Sequence, residues 1–167
     1  MSIMLCVGAL AFYKDGPPPN MTGGFGAETC RMCHTGNPLN APGGSLRIVG
    51  LPERYSPGAR YAVTVMLNRE GLYIGGFQLA SRTRDGDPAG SWRVQDDRAK
   101  AAGAWVQHTL RGSRAQMDGE NRWQVEWTAP NPAAGEIVFN AAANASNDDV
   151  SALGDFIYTS ELRVSAP

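Results

Sequence analysis

The sequence is poor in the residues that most often announce a metal or catalytic centre. It has two histidines, His34 and His108, and three cysteines, Cys6, Cys30 and Cys33. No second C-x-x-C and no H-x-x-x-H accompanies them, so the usual spacing of a closed four-ligand zinc site is missing and no zinc is expected. There is no Ser-His-Asp order, no phosphate-cradling glycine loop and no H-E-x-x-H. No Lys/Arg block breaks the charge balance of 15 basic and 16 acidic residues, so nucleic acid is excluded as the expected partner. No apolar run reaches the roughly 20 residues a membrane-crossing helix needs.

Turn-forming residues are plentiful, with 20 glycines and 11 prolines in 167 residues, and this argues against a helix-rich domain. An apolar share of 43% is enough for one core, and the length suits one domain. "SIMLCVGALA" has the length of a signal-peptide core, and Ala9-Leu10-Ala11 follows as an A-x-A cleavage pattern. Residues 1–11 therefore read as a signal segment; no positive residues precede the apolar run, which fits either a start truncated in the sequence or, as the alternative, a short buried segment. Export to the periplasm or cell exterior is the expectation, with anchoring to the membrane if the segment stays uncleaved. Cys6 would leave with the segment.

Residues 12–44 are loop-like, and strand signals begin at "SLRIVGL" (45–51). Further β-branched and aromatic runs stand at "RYAVTVML" (60–67), "LYIGGFQLAS" (72–81), "SWRVQ" (91–95), "AWVQHTL" (104–110), "RWQVEWT" (122–128), "GEIVFNAAA" (135–143) and "FIYTSELRV" (156–164). Their regular spacing predicts an all-β fold, an antiparallel β-sandwich of seven or eight strands over 45–167, forming one domain with the 12–44 segment. Gly75-Gly76 predicts a bulge or a close backbone approach. "PAAGE" and "DDVSALG" are expected to hold at most helical turns.

The chemistry-bearing stretch is "ETCRMCHTG" (28–36). C-x-x-C-H is the attachment pattern of c-type haem: two thiols at a short fixed spacing meet the porphyrin vinyl groups, and the next imidazole sits beneath the iron. On this reading Cys30 and Cys33 hold one covalent haem c, His34 is the proximal iron ligand, and His108 is the favoured distal ligand. Met21, Met32, Met66 and Met117 are the rivals for that position. Arg31, Arg47 and Arg111 are candidate partners of the propionates. A thioredoxin-like dithiol is disfavoured, because its C-x-x-C belongs at a helix start in a βαβ unit. A Cys30–Cys33 disulfide in an exported protein explains both thiols but leaves His34 unexplained. Trp92, Trp105, Trp123 and Trp127 read as core or sheet packing, and Asp96-Asp97 and Asp148-Asp149 as solvated turns.

Several segments, in order, resemble bacterial Reeler-like domains that carry C-x-x-C-H near the N-terminus, the choice-of-anchor V group. They are "TGGFGAETCRMCHTG", "RYSPGARYAVTV", "GGFQLAS", "WVQHTLRG", "WTAPNPAAGEIVFNAAANASN" and "GDFIYTSEL". Phe25 and Ala27 depart from the Pro and Glu usual there. The resemblance implies an immunoglobulin-like sandwich outside the cytoplasm, and supports Cys30, Cys33, His34 and His108 as recurrent positions. The expectation is an exported mono-haem c-type cytochrome, bis-His ligated, passing electrons to a redox partner protein. The alternative is a haem-free extracellular Reeler-like binding or adhesion module with a Cys30–Cys33 disulfide.

Overall fold

In the computed structural model, residues 13–166 are described. The proposed signal segment and Cys6 lie outside them. One turn of 3-10 helix, Cys30–Met32, is followed by ten strands: β1 Thr35–Gly36, β2 Gly44–Val49, β3 Arg60–Arg69, β4 Ile74–Thr83, β5 Ser91–Val94, β6 Ala99–Ala102, β7 Trp105–His108, β8 Glu120–Thr128, β9 Ile137–Ser146 and β10 Leu153–Val164. They form two sheets, ordered β1-β10-β9-β4-β7-β6 and β2-β3-β8-β5. Every pairing is antiparallel except the short one between β1 and β10. The expected all-β sandwich is therefore the fold.

Alternation along the strands builds the core. β3 turns Val63, Val65 and Leu67 inward, and β8 sets Val125 opposite Val63 and Trp123 opposite Val65. The facing sheet contributes Phe77 and Leu79 from β4, and Ile137, Phe139, Ala141, Ala143 and Ala145 from β9. Phe77 packs on Trp123 with centroids 4.6 Å apart, and Trp127 meets Phe139 edge-on at 4.8 Å. Each such buried side chain contributes on the order of 1.5–3 kcal/mol. The indole N–H groups are not orphaned. Trp123 donates to the Gly112 carbonyl at 2.8 Å, and Trp127 to Ser81 Oγ and the Ala89 carbonyl, each at 3.1 Å.

β9 is buried on both faces along nearly its whole length, which a two-layer sandwich alone does not explain. The N-terminal segment covers the outer side. Gln78 of β4 accepts from Met21 N at 2.6 Å and donates to the Pro18 carbonyl at 2.9 Å. Arg82 donates to the Gly24 carbonyl and to Asn20 Oδ1. Gly24 lies so close to Asn140 that a Cβ there would overlap the amide.

Some local features go beyond the sequence expectation or choose among its outcomes. β1 and β6 carry little strand signal: β1 is two residues long and β6 reads Ala-Lys-Ala-Ala, so both owe their form to the strands they pair with. "PAAGE" and "DDVSALG" hold no helical turns. Instead the single turn of helix falls on the cysteines, where the Thr29 hydroxyl accepts from Arg31 N and caps its start. Of the two outcomes expected at Gly75-Gly76, the bulge is not formed, since β4 and β9 stay in regular register from Ile74↔Ser146 onward, and the close backbone approach is.

Candidate functional site

The 3-10 turn sets Cys30 and Cys33 one turn apart, with Cys33 N and His34 N both donating to the Cys30 carbonyl. Three residues per turn bring side chains at i and i+3 onto one side. Cys30 is partly buried and Cys33 exposed, and both are free thiols. Burial pushes the Cys30 thiol up to about 12.

His34 is fastened to the sandwich by a residue 121 positions away. Its Nδ1 lies 2.5 Å from Oδ2 of Asp155, whose side chain is 3% exposed. Asn144 Nδ2 also donates to that oxygen, at 3.1 Å. A carboxylate accepting from Nδ1–H orients the ring and sets its tautomer. Nearby backbone bonds reinforce the attachment: Thr35 N donates to the Ala152 carbonyl, and Asn37 Nδ2 to the Gly154 carbonyl at 2.6 Å.

His108 ends β7. The β4–β7 ladder stops at Gln78↔Gln107, and the His108 imidazole then takes the place of a backbone partner, with Nδ1 lying 3.1 Å from Phe77 N and 3.2 Å from the Phe77 carbonyl oxygen. Its pKa is lowered, chiefly by burial. Hydrogen bonds to the Phe77 and Tyr13 backbones oppose that shift without reversing it. The ring rests on Gly76, which is the close backbone approach expected of the glycine pair.

All four sequence-predicted site residues, Cys30, Cys33, His34 and His108, line one cleft of about 80 Å³ on the outer face of the six-stranded sheet. Tyr13, Pro17, Pro18 and Met21 wall it from the N-terminal segment. Met32 also lines it, whereas Met66 and Met117 do not. Arg111 is engaged elsewhere, with Asp97 at 2.7 Å, and Arg47 lies on the opposite sheet. Sequence reasoning missed Gly76, Asn144 and Asp155 as site residues. Their signal was present, because the "GGFQL", "NAAAN" and "GDFIY" segments carry them, but their convergence is a property of the sheet.

A family model described as Reeler domain matches residues 28–149. Among solved structures, the Reelin-N domain of F-spondin is similar at 22% identity, covering 83% of this chain and 95% of that one, with a TM-score of 0.58. Two crystal structures of the human F-spondin reeler domain align over 78% and 81% of this chain and 95% and 97% of their own. Their identities are 22% and 23%, with TM-scores of 0.51 and 0.52. At these identities the likeness is one of fold. Among curated proteins no relative matches the chain.

These findings correct the cytochrome, haem and iron reading of the C-x-x-C-H motif. The family match is to a Reeler domain, and similar solved structures include F-spondin domains. Among the described residues, no group of three or more His, Cys, Asp or Glu side chains is placed to hold a metal ion. At about 80 Å³ the cleft does not enclose a group the size of a porphyrin, since sites that enclose drug-sized molecules run to roughly 300–1,000 Å³.

Proposed function

Because the chain belongs to the Reeler domain family, we propose that it is a haem-free, extracellular-type binding module whose N-terminal loop is closed by a Cys30–Cys33 disulfide. The observation that carries this reading is the family match over residues 28–149, which includes both the cysteine turn and most of the sandwich. Reeler domains occur in secreted or extracellular proteins such as F-spondin, which supports export and an oxidising setting for the two thiols. Their placement at the two ends of one 3-10 turn supports the pairing.

The candidate binding site is the cleft lined by Cys30, Cys33, His34 and His108. The N-terminal segment forms its lip and β4, β7 and β9 its floor. Its polar groups are oriented by neighbours and its walls are apolar, which at about 80 Å³ suits capture of one side chain or small group rather than a whole drug-sized molecule.

The test is intact-mass measurement and a visible spectrum of protein exported by a host with haem-attachment machinery. The expected product is colourless, with a mass two hydrogens below that of the reduced chain, regained on reduction. A covalent tetrapyrrole adduct with a sharp reduced band would overturn the reading.

A further inference from the structure

Resting on that reading, we propose that the Cys30–Cys33 pair is a thiol–disulfide exchange site, with Cys33 the sulfur that an external thiol meets and Cys30 the inner sulfur that leaves and returns. A bond serving only to close a loop has no need of unequal ends. Here the two ends differ: Cys33 is exposed, whereas Cys30 is partly buried and lines the cleft. An attacking thiol approaches the accessible sulfur, so access selects the Cys33 end even though burial makes Cys30 the slower leaving group.

A second, independent feature supports the assignment. His34 follows Cys33 directly, and its ring is held by Asp155 through Nδ1, with Asn144 donating to the same carboxylate oxygen. With Nδ1 engaged, Nε2 is the ring nitrogen left to take a proton in the cleft that both cysteines line, the role an oriented imidazole plays next to a reactive cysteine. Asp155 touches neither sulfur. It is a positioning residue, acting through His34.

The step balances as follows. The thiolate of an external thiol attacks Cys33 Sγ and forms a new S–S bond. The Cys30–Cys33 bond breaks, and Cys30 leaves with the electron pair and takes up the proton the external thiol gave. A second external thiol then attacks the mixed disulfide at the external sulfur and releases Cys33. The net change is one protein disulfide reduced to two thiols and two external thiols oxidised to one disulfide.

The experiment uses the full chain on a Cys6→Ser background, so that two sulfurs report. With glutathione buffers of increasing reducing strength, alkylation and mass measurement are expected to show reversible conversion between disulfide and dithiol in the folded protein. Cys30→Ser and Cys33→Ser variants are then mixed with glutathione disulfide. The variant retaining Cys33 is expected to form the mixed disulfide at least about tenfold faster than the one retaining Cys30. His34→Gln on the Cys30→Ser background is expected to slow that reaction several-fold and flatten its rise with pH, while circular dichroism stays unchanged.

Equal rates, a faster Cys30, or a wild-type bond that resists reduction until the protein unfolds would each overturn the proposal. A chain whose cysteines are blocked by a covalent adduct before any reagent is added would instead sink the haem-free reading on which it rests.

Discussion

The His108 imidazole lies against the backbone of Gly76, so close that a Cβ built on Gly76 would stand 2.4 Å from Cε1 and 2.8 Å from each ring nitrogen. The two residues are 32 positions apart, yet each dictates the other. The ring needs a bare α-carbon to reach the Phe77 N–H, and the glycine would expose its strand without the ring.

Gly76→Ala should therefore destabilise the protein by about 1–3 kcal/mol through overpacking. His108→Ala in the same chain should recover part of that loss, because the obstructing ring is gone. Urea melts of the two single variants and the double variant give the coupling. Strictly additive effects would show that the contact has no energetic weight.

Stability should fall as the solution is made mildly acidic. Burial holds the His108 pKa below the ordinary imidazole value, so the unfolded chain binds a proton that the folded one refuses. Its contribution is complete above about pH 6.5, the unperturbed value, and is lost as pH falls from there toward the lowered native pKa. Asp15 and Lys100 are the charged neighbours acting on the ring, with opposite signs. A His108→Gln variant should lose this slope between pH 7 and 5, as read by chemical denaturation. An identical slope in both proteins would remove His108 as its source.

Asp155→Asn should loosen the cysteine turn without dissolving the sandwich. The substitution removes the buried charge that holds His34 and weakens a junction also made by Asn144, Thr35 and Asn37. The expected cost is about 1–3 kcal/mol. Amide exchange should rise first at residues 33–37, and equal protection there in the variant would count against the latch.

Arg82→Met keeps the apolar stem and deletes the donors to Gly24 and Asn20. The N-terminal segment should then release more readily, with limited proteolysis within residues 13–27 accelerating several-fold at nearly unchanged melting temperature. A variant cut at the native rate would mean that Gln78 alone suffices to hold the segment.

Much of the fold was legible in the residues. Period-two burial in "RYAVTVML" and "RWQVEWT" identified β3 and β8, because a half-buried strand must alternate. Where alternation was absent, the reading faltered. β6 has no pattern of its own; β9 was read as a strand, but its apolar run on both sides did not disclose the second cover that lies over it. The C-x-x-C-H spacing pointed to a covalent cofactor, since spacing reports which groups can reach one target but not whether the target has room.

The chain alone determined the all-β class, the turn positions and the cysteine pair, because these depend on neighbours a few residues apart. Only the tertiary structure decided that Asp155 and Asn144 hold His34, that His108 is seated on Gly76, and that the N-terminal segment narrows the shared cleft to about 80 Å³. Those relationships join residues separated by 32 to 121 positions. They are set by strand register and sheet order, which local sequence pattern does not specify.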